Sequence, residues 1–116
     1  MANERVFKMP FGDVYPLYVK KVERKGRTKE ELDVVLTWLT GYTVDQLQEQ
    51  ADAKVSFADF FDQAPAMTPH VDKITGVVCG VRVENIEEPL MQKIRWMDKI
   101  VDELAKGKAI EKILRS

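Results

Sequence analysis

The sequence holds one cysteine, Cys79, and one histidine, His70, among its 116 residues. A lone cysteine excludes an internal disulfide. A closed zinc site usually takes four ligands drawn from these two residue types, and neither an H-x-x-x-H nor a C-x-x-C spacing occurs. No metal and no cofactor are therefore expected, and His70 reads as a polar residue near a helix start. Phosphate cradles are missing too, since no G-x-G-x-x-G or G-x-x-x-x-G-K-[ST] string is present. Charge of one sign is also lacking: 18 Lys and Arg against 19 Asp and Glu leave a formal net charge of −1. Such a chain has no global electrostatic drive toward nucleic acid or an anionic membrane. No apolar run approaches the roughly 20 residues of a membrane span. The segment Met1 to Pro10 lacks the apolar core of a signal peptide. Together these absences give the expectation of a cytoplasmic protein without membrane contact.

What is present is a globular balance, with 45% hydrophobic and 32% charged residues. No repeat, low-complexity tract or linker divides the chain, so residues 1–116 read as a single domain. Helix punctuation recurs along it. A first helix is predicted from about Asp13 to Lys25, with Asp13 as its cap and Pro16 in the first turn. Val14, Leu17, Tyr18 and Val22 share one face of it, and Gly26 stops it. Thr28 and Glu31 form a T-x-x-E capping pair ahead of Leu32, Val35, Leu36 and Leu39, which fall at i, i+3, i+4, i+7. Gly41 ends that helix. Thr43 and Gln46 then repeat the capping pair, with Tyr42 and Leu47 spaced as a hydrophobic staple, for a short helix fading near Ala53. Ser56 opens a fourth helix with an apolar face of Phe57, Phe60, Phe61 and Ala64.

Between Thr68 and Ile86 two periodicities compete. Val77, Cys79, Val81 and Val83 alternate as in a strand, with the β-branched content that strands favour. Thr68-Pro69 is a helix start signal, and Val71, Ile74, Val78 and Val81 share a helical face. The start signal and the lack of a similar partner strand elsewhere predict helix over 69–85. The last long helix runs from about Glu87 to Lys106: Leu90, Ile94, Met97, Val101 and Leu104 step by four, three, four, three, and Gly107 stops it. Ile110, Ile113 and Leu114 add a short final turn. The fold expected is mainly α, a compact single-domain multi-helix fold; the alternative is α+β with a small sheet using residues 74–83.

Several strings resemble a known family. They are G-R-T-K-E-E from Gly26, W-L-T-G-Y from Trp38, C-G-V-R-V-E from Cys79, P-L-M-Q from Pro89 and D-E-L-A-K-G-K-A from Asp102. Over about Phe7 to Leu114 the chain resembles the bacterial "domain of unknown function 2200" family. The resemblance implies a small bacterial protein made of this one domain, and carries over no activity, cofactor or catalytic residue.

Residues able to do chemistry are few. Cys79 lies between Val78 and Gly80 in an apolar run, with Arg82 and Glu84 close behind. These three are the catalytic candidates, because a reactive thiolate needs a nearby positive charge. A cysteine with apolar flanks more often packs as a small hydrophobe, so burial and slow reaction are expected. Acidic pairs such as Asp59 with Asp62, Glu84 with Glu87 and Glu88, and Asp98 with Asp102 read as solvated faces or lysine partners. Tyr15, Trp38 and Trp96 fall off the main apolar faces and are the ligand-binding candidates. Lys20, Lys21, Arg24, Lys25, Arg27 and Lys29 form a basic cluster suited to phosphates. In a chain that is not basic overall, the cluster reads first as decoration of a helix C-terminus.

Weighed together, these features favour a non-enzymatic binding or interaction domain. A homodimer is expected through the helix around Leu90 to Leu104, where Trp96 and Ile100 widen the apolar face. The alternative is a small ligand-binding protein or enzyme using Cys79, Arg82 and Glu84. A further alternative, nucleic-acid contact through Lys20 to Lys29, is disfavoured by the charge balance.

Overall fold

Side chains that satisfy the free N–H groups at helix starts decide where most of the helices begin. The computed structural model describes residues 2–78 and 80–114. Among these residues the α-helices are α1 (Ala2–Phe7), α2 (Phe11–Arg24), α3 (Lys29–Thr40), α4 (Val44–Asp52), α5 (Phe57–Asp62), α6 (Pro89–Ala105) and α7 (Ile110–Ile113). A small antiparallel sheet of β1 (Val77–Val78) and β2 (Val81–Arg82) lies between α5 and α6. The chain is thus mainly α. Thr28 accepts the Glu31 N–H at 3.1 Å while Glu31 accepts the Thr28 N–H at 3.0 Å, the reciprocal pair read from the sequence. Thr43 and Gln46 repeat it at 3.1 and 2.9 Å. Ser56 caps α5, and Glu88 caps α6 by accepting the Leu90 N–H at 2.8 Å, with Pro89 in the first turn.

The start of α2 departs from the sequence reading. The helix begins at Phe11, so Asp13 lies inside the first turn and Pro16 lies within the helix. The reason is a non-local bridge. Phe11 N–H donates to Val55 O at 2.8 Å and Phe57 N–H to Met9 O at 2.9 Å, which ties Pro10 to Ser56 and sets the helix start ahead of any local cap. Asp13 pairs instead with Lys54 at 2.9 Å. The missing N–H of Pro16 removes the ladder bond to Gly12 O.

The helix predicted over 69–85 does not form. Val71–Lys73 and Val83–Asn85 are single 3-10 turns, and between them β1 pairs with β2 in the register Val77↔Arg82 and Val78↔Val81. Two glycines explain this outcome. Gly76 and Gly80 take φ of +110° and +80°, conformations outside the helix, and each would cost a helix about 1 kcal/mol. The partner strand lies three residues downstream, inside the same stretch. The hairpin docks on α6: Lys99 Nζ donates to Val77 O at 3.3 Å, and Gln92 Nε2 to Val83 O at 3.1 Å.

α6 is the central element, packing against α1, α2, α3, α5, α7 and the hairpin. Met97, Ile100, Val101 and Leu104 are fully buried, each contributing roughly 1.5–3 kcal/mol of transfer free energy. The burial of Ile100 corrects the expectation that it widens a strip left over for a second copy; the chain's own elements cover it. Trp96 is half-buried, and so is Leu90 at the first turn. On the opposite side Phe11 stacks on Phe60 with centroids 4.1 Å apart, and Tyr42 donates its hydroxyl to Phe60 O at 2.6 Å. Among the described residues no helix is long and apolar enough to cross a membrane.

Candidate functional site

Helix α2 carries Tyr15 and Tyr18 one turn apart, and each hydroxyl donates to a carboxylate, buried at Asp33 and half-buried at Asp98. Tyr15 donates to Asp33 Oδ1, and Lys29 Nζ reaches Asp33 Oδ2 at 2.9 Å from one turn away on α3. The same ammonium lies 5.3 Å from the Tyr15 ring centroid. Burial, then the bond to Asp33, pushes the Tyr15 hydroxyl up to about 12. The Tyr15 hydroxyl and then Asp33 hold the Lys29 ammonium above its ordinary value. One turn along α2, Tyr18 donates to Asp98 Oδ1 while Arg95 Nη1 donates to Asp98 Oδ2 at 2.8 Å. One turn further along α6, Asp102 pairs with Lys21 at 3.3 Å and Lys106 at 3.0 Å. Burial opposes ionisation of Asp102, but the bonds from Lys106 and Lys21 outweigh it and hold the carboxyl below its usual range.

Next to the Tyr15 cluster lies a cleft of about 420 Å³ between α2 and α4. Tyr15, Pro16, Val19 and Ala51 supply its apolar surface, and Lys20, Glu23, Lys29, Gln48 and Asp52 its polar one. Gly12 sets its width. A Cβ there would sit 2.1 Å from the Ala51 carbonyl oxygen, so the two backbones touch at that point.

The ligand-binding candidates do not converge. Tyr15 lines this cleft, whereas Trp96 lines a separate cavity of about 310 Å³ with Glu84, Gln92, Ile74, Val71 and Asp72. Trp38 is half-buried against the core. Among the catalytic candidates, Cys79 lies outside the described residues, and so does the expectation that it is buried. Arg82 and Glu84 form an exposed ion pair at 3.4 Å. Glu84 also accepts the Gly76 N–H at 2.9 Å, and that bond first, with Arg82 contributing, holds its carboxyl below the usual range. Both residues thereby fasten the hairpin base.

Of the basic cluster, Lys21, Arg27 and Lys29 are paired with Asp102, Glu31 and Asp33. Lys20, Arg24 and Lys25 have no ion-pair partner among the described residues. His70 stands at the start of the first 3-10 turn. No group of three or more Cys, His, Asp or Glu side chains suited to a metal occurs among the described residues. Sequence reasoning missed Asp33 and Arg95. The available signal for Asp33 was a carboxylate flanked by Leu32 and Val34, four residues after Lys29.

A family model described as an uncharacterised protein conserved in bacteria, DUF2200, matches residues 5–115. The chain is similar to the crystal structure of an uncharacterised protein, SP1917, at 47% identity and a TM-score of 0.90, covering 96% of this chain and 91% of that one. No curated protein matches.

Proposed function

The chain belongs to the DUF2200 family of uncharacterised bacterial proteins, and from the geometry of the α2–α4 cleft we propose that it is a non-catalytic binding domain of the cytoplasm. The observation that carries the reading is the closed Tyr15–Asp33–Lys29 cluster. Tyr15 and Lys29 are both held protonated at neutral pH, so neither offers a base or a nucleophile. What the cleft presents instead is shape, an apolar floor and exposed charges of both signs at Lys20, Glu23 and Asp52. That combination suits a polar segment of a protein partner whose own charges are mixed. A titration of isotope-labelled protein with peptides carrying alternating Lys and Glu around an apolar residue tests it by amide shifts. Saturable changes confined to Gly12, Val19 and Gln48 support the cleft. Changes confined to the hairpin would transfer the function there, and rapid alkylation of Cys79 in the native protein would favour the enzyme reading.

Self-association through α6 is a separate proposal. With Ile100 enclosed, it rests on Trp96, which is only partly buried on the flank of α6. Light scattering at micromolar concentration decides it: a mass of 13.3 kDa removes the dimer. A doubled mass that Trp96→Asp returns to the monomer value supports it.

A further inference from the structure

On the side of α2 away from the cleft, four elements line a third cavity, of about 340 Å³. It shares no lining residue with the α2–α4 cleft. Phe57 and Ile94 are buried in its wall, while Met9 and Leu17 are 38% and 59% exposed at its lip. Its polar residues are Tyr18, Asp98 and Arg95. The unused donors there belong to Arg95. Asp98 accepts from Tyr18 on one oxygen and from Arg95 on the other. Arg95 uses only Nη1, and the rest of its guanidinium has no partner among the described residues. A guanidinium carries five donors in a planar fork that matches a carboxylate.

We propose that this cavity binds a small amphipathic carboxylate, its apolar chain between Met9, Leu17, Phe57 and Ile94 and its carboxylate on the free edge of Arg95. Volume, apolar wall and spare donor all point to that class. The volume lies at the lower end of the roughly 300–1,000 Å³ of ligand sites, which suits a short acyl or aryl chain. An ammonium head group would have to share Asp98 oxygens that already accept from Tyr18 and Arg95. A ligand chain would also cover Leu17 and Met9, large apolar side chains that otherwise face water. The inference is independent of the α2–α4 reading, because the two sites share no residue.

Isothermal titration of the full chain with octanoate and, separately, octylammonium tests it. Octanoate is expected to bind saturably, with amide shifts at Leu17, Phe57 and Ile94, and octylammonium at least about tenfold more weakly. Arg95→Gln is expected to weaken octanoate by about tenfold or more, since a charge-assisted pair is lost while Tyr18 still holds Asp98. Leu17→Glu, an exposed change that leaves the core intact, is expected to weaken it as well by placing a like charge at the lip. That variant carries the test if Arg95→Gln fails to fold. Absence of saturable octanoate binding up to about 1 mM overturns the proposal. So does octylammonium binding as tight as octanoate, or full octanoate affinity in the folded variants.

Discussion

Asp33 is the residue on which the α2–α3 contact depends most. It is 4% exposed and serves the Tyr15 hydroxyl and the Lys29 ammonium together. Asp33→Ala leaves a buried hydroxyl without its acceptor and a cation without its partner. Breaking a fully buried pair costs about 3–5 kcal/mol. The Lys29 side chain is 40% exposed, so solvent screening reduces the expected loss to about 2 kcal/mol. Urea unfolding should show this as a lower midpoint at unchanged slope. The tyrosines give a pH prediction. Tyr15 and Tyr42 sit at about 12 in the fold against 10.0 unfolded, both mainly through burial. Their contribution is therefore fully present below pH 10.0 and is lost as pH rises toward about 12, because only the unfolded chain ionises in that window. Absorbance titration at the phenolate band is expected to show these two ionising together with loss of helical circular dichroism. Ionisation of Tyr15 or Tyr42 near pH 10 in a fully helical protein would contradict the burial.

At the scale of elements, the helices read from the sequence are those whose start signal lies within three residues. Thr28 with Glu31, Thr43 with Gln46, and Ser56 ahead of Phe57 are self-contained, and each marks a helix start. The start of α2 was not legible locally because Val55 and Phe57 set it from more than 40 residues away. The hairpin was obscured because Thr68-Pro69 mimics a helix start, while Gly76 and Gly80 declare their backbone angles only in the fold. The candidate site was legible at Tyr15 and illegible at Asp33, whose acidic type masks a buried position. Close approach of α2 and α4 yields a sharp test. Gly12→Ala places a methyl group against the Ala51 carbonyl. It is expected to cost about 1–3 kcal/mol as an overpacked contact and to splay the cleft. A melting temperature equal to wild type would show that the helices are free to part.

For the molecule as a whole, α6 is the organising element. Met97, at the middle of its buried seam, touches no solvent. Met97→Asp buries a charge with no partner and is expected to abolish cooperative unfolding altogether. Circular dichroism against temperature would show a native-like sigmoid if the site tolerated the charge. The position of α6 along the chain has a consequence for biosynthesis. Translation delivers α1 to α5 first, and the apolar side chains that face α6, Phe57 among them, wait for a helix that begins only at Pro89. At about 5–20 residues per second, adding the 17 residues of α6 takes roughly 1–3 s. Until then those side chains lack their cover, so a ribosome stalled before Pro89 is expected to display an aggregation-prone and protease-sensitive polypeptide.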